Sequence, residues 1–317
     1  MISFAAILAG AVQASQGELG PESGWELVWQ DEFEGESIDP ARWGYDVDCW
    51  GGGNAERQCY TPWPENSAVR NGHLEITARR EMVEGPDRPA DQLAPGEAPD
   101  IVRRDYTSAR LVTRGRAAWR YGRIAVRAEL PRGQGVWPAI WMLPEDNVYG
   151  GWALSGEIDI MEAVNLGTPC EACESGVEDR VLGTLHYGGA WPENVHSGSA
   201  VSVPDAARGF HVYEIEWSPA GITWLVDGEA YARQTPADWH TDAQVGSATP
   251  AAPFDQAFHL VFNIAIGGHL AEDNNLGGVS IDGFPKVMRV DWVRVYACPD
   301  GFTAEGACPA ADSRDSQ

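Results

Sequence analysis

The chain has 317 residues, and its 22 Lys and Arg against 47 Asp and Glu give a formal net charge of −25 at pH 7. Nucleic acids and anionic membrane surfaces both attract proteins through Lys and Arg, so this balance argues against either as a partner. Hydrophobic residues make up 44% of the chain and charged residues 22%, which is enough apolar material for a substantial core.

Residues 1–14 predict an export signal. Residues 1–12 are mostly apolar, and Val12-Gln13-Ala14 has the spacing of a cleavage site after Ala14, although no Lys or Arg opens the segment. The run is too short for a helix that crosses a bilayer, which needs ~20 apolar residues. We therefore expect a secreted or periplasmic protein.

The six cysteines form three pairs of close neighbours: Cys49 with Cys59, Cys170 with Cys173, and Cys298 with Cys308. Three local disulfides suit an oxidising compartment. A zinc ribbon would need a second C-x-x-C, which the sequence lacks. A thioredoxin-type site would need a strand that runs into a helix at Cys170, and the sequence does not predict one there. Because the residues around Cys170 are typical of a loop, we interpret these cysteines as structural.

Alternating apolar and polar residues predict β-strands along the chain. The clearest stretches are residues 74–78, 124–130, 213–217, 221–233, 259–266 and 287–296. In the fourth stretch, Asp227-Gly228 supplies the positive φ of a tight hairpin turn. No dozen residues show a helical stripe, and Gly and Pro recur between the strands. The pattern favours a sandwich or barrel of antiparallel sheets.

Residues 81–100 are polar and rich in proline, and they predict a long loop. Strand patterns resume on both sides of it, so it is not a domain linker. We predict one sandwich domain over residues 25–298. Residues 299–317 would then form a short C-terminal tail with nothing apolar enough to anchor it after Cys308.

Three carboxylates lie close together in residues 156–163. On a regular strand Glu157 and Asp159 share one face, whereas Glu162 lies on the other. A single bulge near Ile160 or Met161 would bring all three onto one face. In a helix Glu157 and Glu162 would be about 140° apart, too far to cooperate.

Acids this close on an apolar wall cannot all ionise freely, so at least one pKa must rise. Glycoside hydrolysis with retention needs such a pair, one ionised and one protonated, with carboxyl groups ~5–5.5 Å apart. The spacing alone leaves two alternatives open: cation binding and a plain polar face.

Residues 156–163 (GEIDIMEA) resemble the active-site strand of glycoside hydrolase family 16, in the bulged E-x-D-x-x-E form of laminarinase-like endo-β-1,3-glucanases. Further blocks match in family order at residues 29–33, 71–78, 106–110, 135–144, 183–189 and 290–296. The resemblance implies an all-β, concanavalin A-like β-jelly-roll of two antiparallel sheets, with a substrate cleft across the concave sheet.

The resemblance also implies roles for the three acids. Glu157 matches the nucleophile, which attacks the anomeric carbon and forms a glycosyl-enzyme intermediate. Glu162 matches the acid/base, which protonates the departing oxygen and then activates water. Asp159 would hydrogen-bond the nucleophile and help to keep Glu162 protonated at the first step.

Further matching positions imply contacts with a glucan. The substrate-binding residues implied by the family are Trp137, Trp141, His186, Asn54, Glu56, Gln58 and Arg110, the last four at the negative subsites. The tryptophans could instead belong to the core, and His186 could be structural.

No cofactor is expected for the chemistry. The resemblance implies a structural calcium ion on the convex side, held by Glu32, the main-chain carbonyl of Gly72, and Asp291; oxygen ligands suit this ion. Either acid could also be an ordinary surface charge. The seven histidines form no H-E-x-x-H motif, and no dinucleotide-type glycine motif follows a strand.

We therefore predict a monomeric, retaining, endo-acting β-1,3-glucan hydrolase. One alternative keeps the mechanism and changes the polymer to a mixed-linkage glucan, agar or carrageenan. The other is a non-catalytic β-glucan-binding protein, which the presence of both Glu157 and Glu162 disfavours. The acidic composition favours a neutral glucan over a sulfated galactan.

Overall fold

The computed structural model describes residues 24–245 and 249–310, so the predicted export signal lies outside the described residues. The strands, in chain order, are β1 (Glu26–Asp31), β2 (Gly44–Asp46), β3 (Gln58–Tyr60), β4 (Ser67–Arg70), β5 (His73–Ala78), β6 (Val83–Pro86), β7 (Ile101–Arg104), β8 (Tyr106–Ser108), β9 (Arg110–Val112), β10 (Gly122–Glu129), β11 (Val136–Pro144), β12 (Glu157–Glu162), β13 (Arg180–Gly188), β14 (Asn194–Ser202), β15 (His211–Ser218), β16 (Gly221–Val226), β17 (Glu229–Gln234), β18 (Phe258–Ile266) and β19 (Lys286–Ala297). The helical segments of the described chain are α1 (His269–Glu272) and a 3-10 turn at Ala90–Gln92.

Two antiparallel sheets make up the sandwich. The eight-stranded sheet has the order β17-β16-β15-β10-β19-β5-β4, and β1 also pairs with β19. The seven-stranded sheet has the order β14-β13-β12-β11-β18-β9-β2. The predicted all-β sandwich of antiparallel sheets is confirmed.

The core lies between the inner faces of the two sheets, because one side of each alternating strand is apolar. Ile158 and Met161 on β12 are buried there against residues of the facing sheet such as Ile215 and Trp224. Trp224 also donates a hydrogen bond from Nε1 to the main-chain oxygen of Asp159, at 2.8 Å. Burying each such large side chain contributes roughly 1.5–3 kcal/mol. The inner side of β12 is therefore fixed to the core, which leaves its other side for polar residues.

The predicted strands fall on observed ones. Residues 74–78, 124–130, 213–217, 259–266 and 287–296 lie largely on β5, β10, β15, β18 and β19. The predicted hairpin is β16 and β17, and its turn residues Asp227 and Gly228 have φ of 52° and 81°. The three cysteine pairs are disulfides as expected.

Part of the predicted loop at residues 81–100 is a strand instead. Val83–Pro86 pairs with β7 in a separate two-stranded hairpin. Val83 packs with Val102 against the Cys49–Cys59 disulfide. A disulfide-centred apolar cluster thus orders a segment whose Gly and Pro content argues against a strand.

The predicted lack of an anchor concerns the residues after Cys308, most of which lie outside the described residues, whereas the residues before it make contacts. Within residues 299–310, the ring of Phe302 packs edge-on against Trp25, with centroids 6.0 Å apart. The Sγ of Cys308 lies 3.2 Å from the main-chain oxygen of Gly24. The two ends of the described chain therefore meet beside the eight-stranded sheet.

Neither helical segment within residues 24–245 and 249–310 has the length and apolar character that crossing a bilayer requires.

Candidate active site

The strand that carries the three acids contains a bulge. Asp159 lies opposite Trp141 on β11, and Glu162 lies opposite Ala139, so three residue steps on β12 face two on β11. The pairing with β13 slips in the same interval. The extra residue returns Glu162 to the face that Glu157 and Asp159 share. The predicted bulge is confirmed.

Indole groups contact two of the three carboxylates. Trp152 donates from Nε1 to Oε2 of Glu157 at 2.7 Å. Trp137 donates from Nε1 to Oε1 of Glu162 at 3.0 Å. A neutral donor orients a carboxyl group without forming an ion pair with it, so these two hydrogen bonds fix the positions of Glu157 and Glu162.

His186 lies beside the carboxylates of Asp159 and Glu157. Its Nε2 is 3.3 Å from Oδ2 of Asp159 and 3.6 Å from Oε1 of Glu157. Asp159 is only 2% exposed, whereas His186 and Glu157 are half-buried. The structure therefore brings the predicted histidine into the acid cluster.

Burial and the charges of neighbouring groups shift the pKa values of Glu157, Glu162 and His186. Burial, aided by the Asp159 carboxylate, raises the pKa of Glu157 to about 7, although His186 and the Trp152 hydrogen bond oppose the rise. Burial, again aided by Asp159, raises the pKa of Glu162 well above its usual range. Burial disfavours protonation of His186, yet the carboxylates of Glu157 and Asp159 outweigh it and raise its pKa to about 10. The cluster thus combines two carboxyl groups of raised pKa with a cationic imidazole.

Oxygen atoms of Glu157 and Asp159 and a ring nitrogen of His186 lie within 4.8 Å of one another, a spacing that a metal ion could use. A protonated imidazole has no lone pair to offer as a ligand. Cation binding by these three residues therefore stays an alternative that requires His186 to lose its proton.

Trp141 and Arg110 contact each other on one side of β12, the side on which β11, β18 and β9 lie in the sheet. Trp141 donates from Nε1 to Oδ1 of Asn263 at 2.7 Å. The Arg110 guanidinium carbon lies 4.7 Å from the centroid of the Trp141 ring, and Arg110 Nε is 3.8 Å from a carboxylate oxygen of Asp46. These contacts place both predicted residues beside the acids, and their contact with substrate stays a prediction.

Asn54, Glu56 and Gln58 form one hydrogen-bonded group. Asn54 donates from Nδ2 to Oε1 of Glu56 at 3.3 Å, and Gln58 donates from Nε2 to Oε2 of Glu56 at 2.7 Å. Gln58 is 1% exposed, and its Oε1 accepts from the main-chain nitrogen of Ile266. The Gln58 amide is therefore engaged with Glu56 and β18, and its predicted contact with a sugar stays a prediction. Asn54 is exposed.

The predicted calcium ligands lie where the first and last strands meet. The Glu32 carboxylate accepts two hydrogen bonds from Arg294, at 2.8 and 2.9 Å. The Asp291 carboxylate pairs with Arg127, and Gly72 lies in the turn between β4 and β5. The donors are oxygens, as calcium prefers, but both carboxylates are already shared with guanidinium groups. The calcium site stays a prediction, and the arginines weaken it.

Two residues in contact with the site were not predicted. Trp152 lies in the loop before β12 and is 39% exposed, and only its glycine-rich surroundings at residues 150–151 mark it as unusual. Asn263 is the one amide in β18, a strand whose residues are all buried. A lone buried amide in an apolar strand needs a partner, and that signal could have identified it.

Comparisons with known proteins agree with this geometry. A family model for glycosyl hydrolases family 16 matches residues 55–293. A β-glucanase of Rhodothermus marinus is 44% identical over 278 residues, covering 86% of this chain and 85% of that protein. Glucan endo-1,3-β-glucosidase A1 of Niallia circulans is 38% identical over 285 residues, covering 86% of this chain and 38% of that longer protein.

Among solved structures, the X-ray structure of the laminarinase from Rhodothermus marinus matches with a TM-score of 0.67 at 43% identity, covering 86% of this chain and 97% of that one. This match confirms the predicted jelly-roll. The family match includes most strands of both sheets and the whole of the acid-bearing strand β12. The chain therefore belongs to glycosyl hydrolase family 16.

Proposed function

We propose that this protein cleaves internal β-1,3 linkages of a β-glucan with retention of configuration. The observation that carries the proposal is the bulge in β12, which places Glu157 and Glu162 on one face in different environments. Similar proteins are named as a β-glucanase and a glucan endo-1,3-β-glucosidase, which supports this substrate class.

In the first step, the ionised Glu157 attacks the anomeric carbon of the sugar on the non-reducing side. The bond from that carbon to the glycosidic oxygen breaks, and protonated Glu162 gives its proton to this oxygen as it leaves. An ester then joins Glu157 to the sugar. The higher pKa of Glu162 suits it to hold the proton while Glu157 is ionised.

In the second step, Glu162 accepts a proton from water, and the water oxygen attacks the same carbon. The ester bond breaks, and Glu157 returns to a carboxylate. Two displacements restore the original β configuration. The positive His186 and the indole of Trp152 stabilise the Glu157 carboxylate before attack and after release. No cofactor takes part in this proposal.

The charges around Arg110 support a neutral polymer. Burial lowers the pKa of this guanidinium, but Tyr60 and the carboxylates of Asp46, Asp48 and Glu56 outweigh it and raise the pKa. Arg110 therefore brings no net positive charge to the sheet beside the acids, and a sulfate group would meet more carboxylates than cations. This arrangement favours β-glucan over a sulfated galactan. Export and a monomeric state remain predictions from the sequence.

The test is digestion of laminarin by purified protein. We expect a ladder of oligosaccharides whose new reducing ends appear first as the β anomer, as read by NMR during the first minutes. Glu157→Ala should retain laminarin binding and lose turnover. Undiminished turnover in that variant, or product that appears first as the α anomer, would contradict the mechanism. A panel of agar, carrageenan, lichenan and laminarin in a reducing-end assay identifies the polymer.

A further inference from the structure

Edge strand β14 continues the acid-bearing face beyond His186. His196 on β14 lies directly opposite His186 on β13, so both side chains lie on the same face of the sheet. Their ring centroids are 5.5 Å apart. The ring of Trp152 lies 5.7 Å from His186 on another side. Three rings therefore form a continuous surface that begins at Glu157 and ends at the sheet edge.

His196 is exposed, whereas His186 is half-buried within the acid cluster. The neighbouring position on the same face is Gly198, opposite Thr184. A Cβ at Gly198 would lie 2.7 Å from the main-chain oxygen of Gly183, so a side chain cannot be added there without displacing β13. The surface beside the His196 ring is accordingly flat and open to solvent.

The strands on the two sides of β12 carry different residues. Trp141 and Arg110 lie on the side of β11, β18 and β9, together with the positions predicted for the non-reducing part of the glucan. His186 and His196 lie on the opposite side. Neighbouring strands are ~4.8 Å apart, so β14 lies ~10 Å from the acids, far enough to meet a sugar other than the one under attack.

We propose that His196 is a substrate-binding residue for a glucosyl unit on the reducing-end side of the cleaved bond. This inference rests on the proposed function. An exposed imidazole offers one hydrogen-bond donor and one acceptor to the hydroxyl groups of that sugar, and the adjacent His186 ring and Gly198 surface support the sugar face. The Ser199 side chain lies on the opposite face of the same strand, where it does not meet the glucan.

The experiment compares His196→Ala with the matched control Ser199→Ala on two substrates. One is laminarihexaose, which places sugars on both sides of the cleaved bond. The other is 4-nitrophenyl β-laminaribioside, whose leaving group is a phenol without sugar. For His196→Ala we expect kcat/KM on the hexaose to fall about tenfold, mainly through KM, the factor that ~1.4 kcal/mol of lost binding produces. The aryl substrate should be unaffected, and His196→Gln should recover part of the loss.

Each other result overturns the inference. Unchanged hexaose cleavage would show that His196 binds no sugar. An equal loss on both substrates would show that it acts through His186 or on the non-reducing side. A similar loss in Ser199→Ala would point to a general effect on the strand. Wild-type protein without activity on either substrate would overturn the proposed function itself, which separates the two failures.

Discussion

The acids of β12 and those of the eight-stranded sheet have different partners. On the eight-stranded sheet, most carboxylates of the strands and of the residues next to them pair with an arginine. The pairs are Glu32 with Arg294, Glu75 and Glu129 with Arg289, Asp291 with Arg127, and Glu216 with Arg123. On the seven-stranded sheet, the acids of β12 meet tryptophan N–H groups and one histidine. The same residue type thus balances charge on one sheet and stays reactive on the other.

Burial alone does not separate the two groups. Glu214 on β15 is 3% exposed, and burial raises its pKa despite its ion pair with Arg123 at 2.8 Å. Glu157 and Glu162 are more exposed than Glu214, and their hydrogen bonds come from indole groups rather than from an arginine. The difference therefore lies in the partner: a guanidinium neutralises a carboxylate, whereas an indole only orients it.

The largest expected effect is the difference in activity between removing an acid of β12 and removing an acid of the eight-stranded sheet. Glu162→Gln should lower kcat/KM on laminarin by about 10²–10⁴-fold, because general acid–base catalysis contributes that much. Substrates with good leaving groups should lose less, since they need no proton. The matched control Glu216→Gln, which removes an arginine-paired acid, should leave activity unchanged. A reducing-end assay measures both, and equal losses would remove the distinction between the sheets.

A smaller effect should follow from removing one indole donor. The Trp152 hydrogen bond lowers the pKa of Glu157, so Trp152→Phe should raise that pKa. Protonated Glu157 cannot attack, and kcat/KM should therefore fall as the pH drops below about 7, the Glu157 pKa. In the variant this acid limb should move to higher pH by roughly half a unit, which ~0.7 kcal/mol produces. A pH profile of the aryl substrate measures the shift; an acid limb that stays in place, or moves to lower pH, would contradict the role of Trp152.

The smallest effect concerns calcium on the arginine-paired sheet. Because Arg294 and Arg127 already balance Glu32 and Asp291, we expect EDTA to lower Tm by only about 2–4 °C, which corresponds to ~1 kcal/mol. Added Ca²⁺ should restore it, and Asp291→Asn should be insensitive to EDTA. Differential scanning calorimetry measures the change. A Tm that EDTA does not alter would contradict the calcium prediction.

The bulge could be predicted because two requirements conflict on a regular strand. Ile158 and Met161 need the core, and Glu157, Asp159 and Glu162 need a common face; only an extra residue satisfies both. The alternation of side-chain faces within residues 157–162 was sufficient for this conclusion. Asn263 could have been found by the same local reasoning.

Other features depend on residues far apart in the sequence. The arginine partners of Glu32 and Asp291 come from β19 and β10, so neither pair is visible until the strands are assembled. Gln58 is buried because β3 lies against the end of β18. Trp152 reaches Glu157 from a loop that has no periodicity to read. Local patterns identify the acids, whereas tertiary packing decides what surrounds them.

The meeting of Gly24 with Cys308 has a consequence for modular architecture. Both ends of the described chain leave from one corner beside the eight-stranded sheet, away from the acids of β12 on the other sheet. A partner module fused directly at Gly24 or shortly after Cys308 would therefore lie beside the eight-stranded sheet and not on the sheet that carries the acids. The same corner suits surface immobilisation of the enzyme, because a tether there leaves both directions along the glucan unobstructed.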